Sequence, residues 1–246
     1  MKTIIVISTK DPASMNIYSF LKNKQYAFHV CNERLVYAQN LPEADLLIFA
    51  SKHSSAAAVP SLSVHATGNW GKAEIGGNDS ELTIAPALYL AEGLVKIEEL
   101  TKKHTMQIDV VQECTHHGPT NNRQMLFIEI GSTEKEWNNP EYGKIIAEVI
   151  QHLVENKPAK RKVAVGIGGT HYCPAFKKLI LQENYACGHI CPKYQLQNLT
   201  KEMLQSAIDK TVPKPEEIVI DWKGISGHKD TVKALLENIS LPIRKI

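Results

Sequence analysis

The chain has 246 residues, 43% of them hydrophobic, with 28 basic and 26 acidic side chains and a formal net charge of +2. That length and apolar share suit a globular chain with a sizeable core, arranged as one large domain or two small ones. The near balance of charge excludes a positive field over the whole surface, so any nucleic-acid contact must use a local basic patch.

The N-terminal Met1–Ile7 run is too short in its apolar part for a secretory leader and reads as a first strand. No apolar run reaches the roughly 20 residues of a membrane helix, so no membrane partner is expected. The odd count of five cysteines, without framework spacing, points to reduced thiols and a cytoplasmic setting.

In chain order, Thr3–Ser8 reads as a strand and Asp11-Pro12 as a helix start, with Met15, Tyr18 and Leu21 on one side. Asp45–Ala50 is a nearly all-apolar strand, as expected where both sheet faces are covered. Leu62–His65 is a short strand, and Pro86–Lys103 a long helix with Leu90, Leu94, Ile97 and Leu100 at helical spacing. Strands follow at Gln107–Glu113 and Met125–Ile130, a helix at Pro140–Glu155, a strand at Val163–Ile167 and a helix at Pro174–Leu181. Thr200–Lys210 is a helix with Glu202 in its first turn, Ile218–Asp221 a strand and Asp230–Asn238 a last helix. This order predicts an α/β fold, a mixed and largely parallel sheet flanked by helices, with residues 1–246 forming a single catalytic domain. Asn156–Lys162 reads as a surface loop, and the Ser-, Gly- and His-rich stretch Ser51–Asp79 as a functional one.

Several histidines sit at or just after the carboxyl end of an expected strand: His53, His65, His116, His117 and His171. Ligand crevices of open α/β sheets lie there, so parallel strands would bring these side chains to one edge. A lone loop histidine is more simply a hydrogen-bonding group; the repeated placement favours a site. Adjacent side chains on extended backbone point apart, so His116 and His117 are not expected to share one metal. Gly168 and Gly169, before a helix start, are expected to turn backbone N–H groups toward an anion, with His171 and Tyr172 beside them. Thr120 and Trp70 are candidate substrate contacts; a core tryptophan is the blander reading. Lys160, Arg161 and Lys162 form the basic cluster best suited to phosphate, although a solvated face explains them equally well. Ser54 beside His53 lacks the nucleophile elbow of a serine hydrolase. Cys187-Gly188-His189-Ile190-Cys191 lacks a second ligand pair and reads as buried or half-buried thiols rather than a closed zinc site.

With His116-His117-Gly118-Pro119-Thr120 and Gly168-Gly169-Thr170-His171-Tyr172 the chain resembles the archaeal and plant-type D-aminoacyl-tRNA deacylase family. The likeness extends to Ala50-Ser51-Lys52-His53, Leu62–His65, Gly68-Asn69-Trp70, Asn198–Met203 and Asp221-Trp222-Lys223-Gly224. It implies hydrolysis of the ester joining a D-amino acid to the tRNA 3′ end, a fold related to peptidyl-tRNA hydrolases and phosphorylases, and a zinc requirement. D-aminoacyl-tRNA is then the expected partner, DNA is not, and a monomer is expected. For that chemistry His116, His117 and His171 are candidate catalytic residues, with a zinc ligand set drawn from His53, His65, His116 and His171. Glu113 and Glu129 are the carboxylates available to orient a ligand or act as base, and His53 doubles as a substrate contact. The rival readings are a zinc-dependent hydrolase of peptidase type, a nucleoside phosphorylase, or an RNA-binding module without catalysis, because fold does not fix function.

Overall fold

The computed structural model describes residues 1–237 and 239–246. The first half contains β1 (Thr3–Ser8), α1 (Pro12–Leu21), β2 (Ala27–Cys31), β3 (Leu46–Lys52), β4 (Ser61–His65), β5 (Ala85–Pro86), α2 (Ala87–Lys103) and β6 (Asp109–Gln112). Then come β7 (Gln124–Gly131), α3 (Glu134–Trp137), α4 (Pro140–Glu155), β8 (Lys162–Ile167), α5 (Pro174–Glu183) and β9 (Tyr185–Cys191). The chain ends through α6 (Lys201–Asp209), β10 (Thr211–Val212), β11 (Glu217–Ile220), α7 (Lys229–Leu236) and β12 (Ile243–Lys245). The expected end of the last helix, Asn238, lies outside the described residues.

Two main sheets organise these elements. One has the order β2-β1-β3-β7-β4-β6, the other β12-β11-β8-β9, and β5 and β10 form a small pair. The second sheet is parallel throughout. The first is mixed, because β4 pairs antiparallel with β7 while β6 runs parallel to β4.

Strand alternation decides what each face does. Ile5, Ile7, Leu46, Ile48, Leu126 and Ile128 enter the largest apolar cluster. Their neighbours Ile4, Val6, Leu47, Phe49 and Phe127 enter a separate cluster on the opposite face. Glu129 lies two residues after Phe127, so it shares that second face, as does His65 opposite Phe127. Helix α2 packs against β4 and β6 of one sheet and β9 of the other. The largest cluster therefore runs through both sheets, from Ile5 to Ala186 and Val219.

Asp11 caps α1 as expected, its carboxylate accepting from the Ser14 N–H at 3.0 Å. The buried face of α1 is Ala13, Ser14, Ile17 and Leu21, with Tyr18 packed at its edge; of the expected stripe of Met15, Tyr18 and Leu21, only Met15 is exposed. Thr200 caps α6 through the Met203 N–H at 3.2 Å. Among the described residues, no helix is long and apolar enough to cross a membrane.

Candidate active site

The chain leaving β6 steps from the first sheet to the second. The Glu113 N–H donates to Val64, the Cys114 N–H to the His171 carbonyl at 2.9 Å and the Thr115 N–H to Ile190 at 3.0 Å. This crossing sets Glu113 beside the loop after β8. His171 Nε2 stands 2.7 Å from Glu113 Oε2, with His53 Nδ1 at 3.3 Å and His116 Nε2 at 3.7 Å from the same oxygen. Glu129 Oε2 lies 3.4 Å from His65 Nε2 and 3.7 Å from His53 Nδ1. The Tyr172 hydroxyl meets His53 Nε2 at 3.1 Å. The rings of His116 and His171 lie 4.5 Å apart between centroids, those of His65 and His116 4.2 Å.

All five expected histidines and both expected carboxylates thus come together, but not for the topological reason anticipated. Because β4 and β6 run opposite to β7, the strands do not all end at one edge. His65 sits opposite Phe127, within β7 rather than at its end, and reaches the group across the shared face. His117 has φ 43°, in the left-handed region, so the His116-His117 pair is not extended. Both rings turn into the same space, where one ligand atom from each of His65, His116 and His117 lies within 4.8 Å of the others.

The tautomers of these three follow from their partners. Nδ1 of His65 lies 3.1 Å from the Ala66 carbonyl, that of His116 2.9 Å from Cys114 and that of His117 2.6 Å from Gly118. A carbonyl only accepts, so each Nδ1 carries a proton. Burial opposes charge on His116 and His117, whose Nε2 atoms present lone pairs, while Nε2 of His65 faces Glu129 Oε2. Among the described residues, Nε2 of His65, though 3.4 Å from Glu129 Oε2, and Oε1 of Glu113 are buried without a hydrogen-bond partner. Other metal-capable groupings are Cys114 with His116 and His171, and His53 with Glu113 and His171.

The environment splits the charges. Burial opposes charge on His171, but hydrogen bonds to Cys114 and Glu113 outweigh it and hold the imidazolium up to about 11. His53 is likewise raised to about 9, the carboxylates of Glu129 and Glu113 overcoming burial. Burial, reinforced by His65, pushes His117 down to about 4, and burial with its histidine neighbours pushes His116 well below the usual range. Burial would raise Glu129, yet His53 and His65 beside its Oε2 hold it near 2. At neutral pH these shifts favour imidazolium at His171 and His53, in contact with Glu113 and Glu129, beside neutral His116 and His117; against burial, Glu129 raises His65 as well.

Other candidates fall elsewhere. Trp70 is 2% exposed and donates from Nε1 to the Thr115 carbonyl at 3.1 Å, so it offers no open face for stacking a base. Thr120 Oγ1 accepts from the Asn78 N–H and stands behind the Gly118-Pro119 turn. Lys162 pairs with Glu217 at 2.6 Å, and Arg161 donates to the Ile180 carbonyl. These two and Lys160 lie at the start of β8, a strand length of roughly 20 Å from the loop that carries His171. Gly168 spends its N–H on the Cys191 carbonyl at 2.7 Å rather than turning it to the cleft. Two neighbours were not read from sequence. Cys114 Sγ stands 3.6 Å from His171 Nδ1, and the Tyr194 hydroxyl 3.2 Å from the same atom. Cys114 had a signal, its place between Glu113 and His116; Tyr194 follows an unrecognised strand and had none.

Two hollows flank Tyr194. One, about 200 Å³, is lined by Gly68, Trp70, Thr115, His116 and His117. The other, about 630 Å³, opens between the loops after β8 and β11 and includes His171 in its wall. Fold and site together define an α/β protein with an enzyme-type centre of imidazoles and carboxylates.

A family model described as D-aminoacyl-tRNA deacylase matches residues 41–244. A D-aminoacyl-tRNA deacylase of Thermococcus onnurineus is 40% identical over 222 residues, spanning 85% of this chain and 80% of the relative. One of Pyrococcus horikoshii is 36% identical over 275 residues, spanning 98% and 99%. A crystal structure described as a conserved protein of unknown function is similar with a TM-score of 0.90 and 28% identity, over 99% of this chain and 94% of that one. The chain belongs to the D-aminoacyl-tRNA deacylase family, and it is an enzyme.

Proposed function

We propose that the Glu113–His171 centre hydrolyses the ester between a D-amino acid and the 3′ end of tRNA, releasing both. The carrying observation is the 2.7 Å contact between an imidazolium and a buried carboxylate whose second oxygen is unpartnered. Glu113 Oε1 takes a proton from the attacking water as its oxygen bonds to the ester carbon. His171 gives its Nδ1 proton, on the Tyr194 side, to the ribose oxygen as the carbon–oxygen bond breaks. Glu113 releases its Oε1 proton to solvent and Nδ1 regains one from it, which restores both groups, and the freed acid loses its proton to solvent. His53, held by Glu129 and the Tyr172 hydroxyl, keeps positive charge beside the developing oxyanion.

Zinc fits the residues present. His65, His116 and His117 each fix Nδ1–H on a carbonyl and turn Nε2 inward, the outer-shell pattern of histidine ligands. Nε2 of His65, buried and without a hydrogen-bond partner among the described residues, would give up its place beside Glu129 to bind the ion. The ion would supply Lewis-acid polarisation of the ester carbonyl. This ligand set replaces His53 and His171 of the sequence expectation with His117, leaving those two for proton transfer and charge.

The large apolar cluster through both sheets supports one catalytic domain. All five cysteines are free, in keeping with a cytoplasmic setting. The test is a panel of D- and L-aminoacyl-tRNA carrying the same side chain. Release of the D-form alone is expected, and equal rates for both enantiomers would remove chiral proofreading as the function.

A further inference from the structure

The parallel sheet has a feature that the hydrolytic centre does not use. From β8 the chain turns one way, through α5 to β9; from β11 it turns the other way, through α7 to β12. Since β8 and β11 are neighbours, a topological switch point lies between their carboxyl ends, the place where open α/β sheets hold ligands. The 630 Å³ hollow opens there, a volume in the ordinary range for a ligand of nucleotide size.

Its walls are chemically specific. Gly168 and Gly169 have φ of 104° and 85°, and they bring the loop after β8 against the turn after β11. A Cβ on Gly224 would stand 2.2 Å from Asp221 Oδ2 and 2.6 Å from the Gly169 nitrogen, so only glycine permits this approach. Asp221 directly follows β11. Its Oδ1 accepts from the Gly224 N–H at 2.8 Å, while Oδ2 has no hydrogen-bond partner among the described residues. Lys193, Lys223 and His228 supply the basic side of the hollow, and His171 and Tyr194 stand where it meets the catalytic group.

We propose that this hollow seats the terminal adenosine nucleotide of the tRNA acceptor end, with Asp221 Oδ2 accepting from the free ribose hydroxyl and Lys193 and Lys223 facing the 5′-phosphate. The proposal rests on the deacylase reading. An aminoacylated ribose keeps one of its two vicinal hydroxyls free, and a carboxylate at the carboxyl end of the strand beside a glycine-rich loop is the acceptor that dinucleotide folds use for that group. Seated there, the nucleotide brings its ester to His171 at the mouth, and the amino acid passes beyond Tyr194 into the 200 Å³ hollow. The basic residues at the start of β8 are too far away to hold this phosphate; Lys193 and Lys223 take that role.

Adenosine 5′-monophosphate and its 2′,3′-dideoxy analogue serve as probes, titrated calorimetrically into the wild-type chain, Asp221→Asn and Lys223→Ala. Asn keeps the acceptor for Gly224, and Lys223 is exposed, so neither change removes packing. Loss of a hydrogen bond to a charged group predicts that Asp221→Asn weakens the monophosphate by about tenfold or more, with little change for the dideoxy analogue. Lys223→Ala should weaken both nucleotides but not adenosine, and Asp221→Asn should raise KM for D-aminoacyl-tRNA. Equal binding of the two probes by the wild type, or unchanged monophosphate binding in Asp221→Asn, overturns the proposal even if deacylation stands. A wild-type chain that binds the monophosphate through Asp221 but never cleaves D-aminoacyl-tRNA upholds the nucleotide site and overturns the deacylase reading instead.

Discussion

His171 Nε2 stands 2.7 Å from Glu113 Oε2, although 58 residues separate the two in the chain. The contact exists because the segment after β6 crosses between sheets, its Cys114 N–H donating to the His171 carbonyl itself. Backbone and side chain thus fasten the same pair twice. Burial alone would neutralise Glu113, yet His171 and His53 hold its carboxyl well below the ordinary range.

Glu113→Gln and His171→Ala should each lower kcat for D-aminoacyl-tRNA by about 100-fold or more, the usual loss for a well-placed acid or base. The half-buried His171 adds little packing, so its variant should keep a cooperative melt. Near wild-type turnover in either variant would discard the acid–base assignment.

His65→Ala, His116→Ala and His117→Ala should each reduce zinc per chain, measured by elemental analysis after dialysis. His53→Ala should retain it, because His53 is committed to Glu113, Glu129 and Tyr172. Full zinc in all three of the first variants would refute that ligand set.

Much of this was legible from the residues. The apolar runs of β1, β3 and β7 and the Asp11 cap of α1 follow from local pattern, and the histidine motifs marked the site. Edge strand β2 was missed because its half-exposed Ala27–Cys31 run carries no apolar period. Strand β9 was missed because Tyr185–Cys191, buried throughout, contains a glycine and a histidine that weaken the strand signal. Without β9 the second sheet could not be placed, and with it went Tyr194 and the switch point. The reversal of β4 was equally hidden, since strand direction is set by long-range pairing. His117 was misjudged because one left-handed residue undoes the rule for extended neighbours.

Trp70→Ala should cost about 3–5 kcal/mol of stability, as removal of a buried aromatic commonly does, read from denaturant midpoints. Trp70→Phe should also lower the midpoint, since the Thr115 carbonyl loses its indole donor. A variant of unchanged stability whose only defect is a raised KM for tRNA would restore the stacking role.

The last prediction concerns His189 on β9, a buried histidine outside the catalytic group. Nε2 lies 2.9 Å from the Thr83 carbonyl, which only accepts, so Nε2 carries the proton. Nδ1 then accepts from the Thr115 hydroxyl at 3.1 Å, and that hydroxyl accepts in turn from the Ile190 N–H. The network is satisfied only by neutral imidazole, and burial pushes the group from 6.5 down to about 4. Between those values the unfolded chain binds a proton that the folded chain refuses. Stability should therefore fall as pH drops from about 6.5 toward 4, by up to about 3 kcal/mol from this residue alone at 1.36 kcal/mol per unit. Above pH 6.5 neither state holds the proton and the effect vanishes. His189→Gln can keep an acceptor for Thr115 and a donor for Thr83 without titrating. Denaturant unfolding of both proteins from pH 7.5 to 4 should show a shallower acid decline in the variant. Parallel curves for the two proteins across that window would mean that His189 does not couple folding to pH.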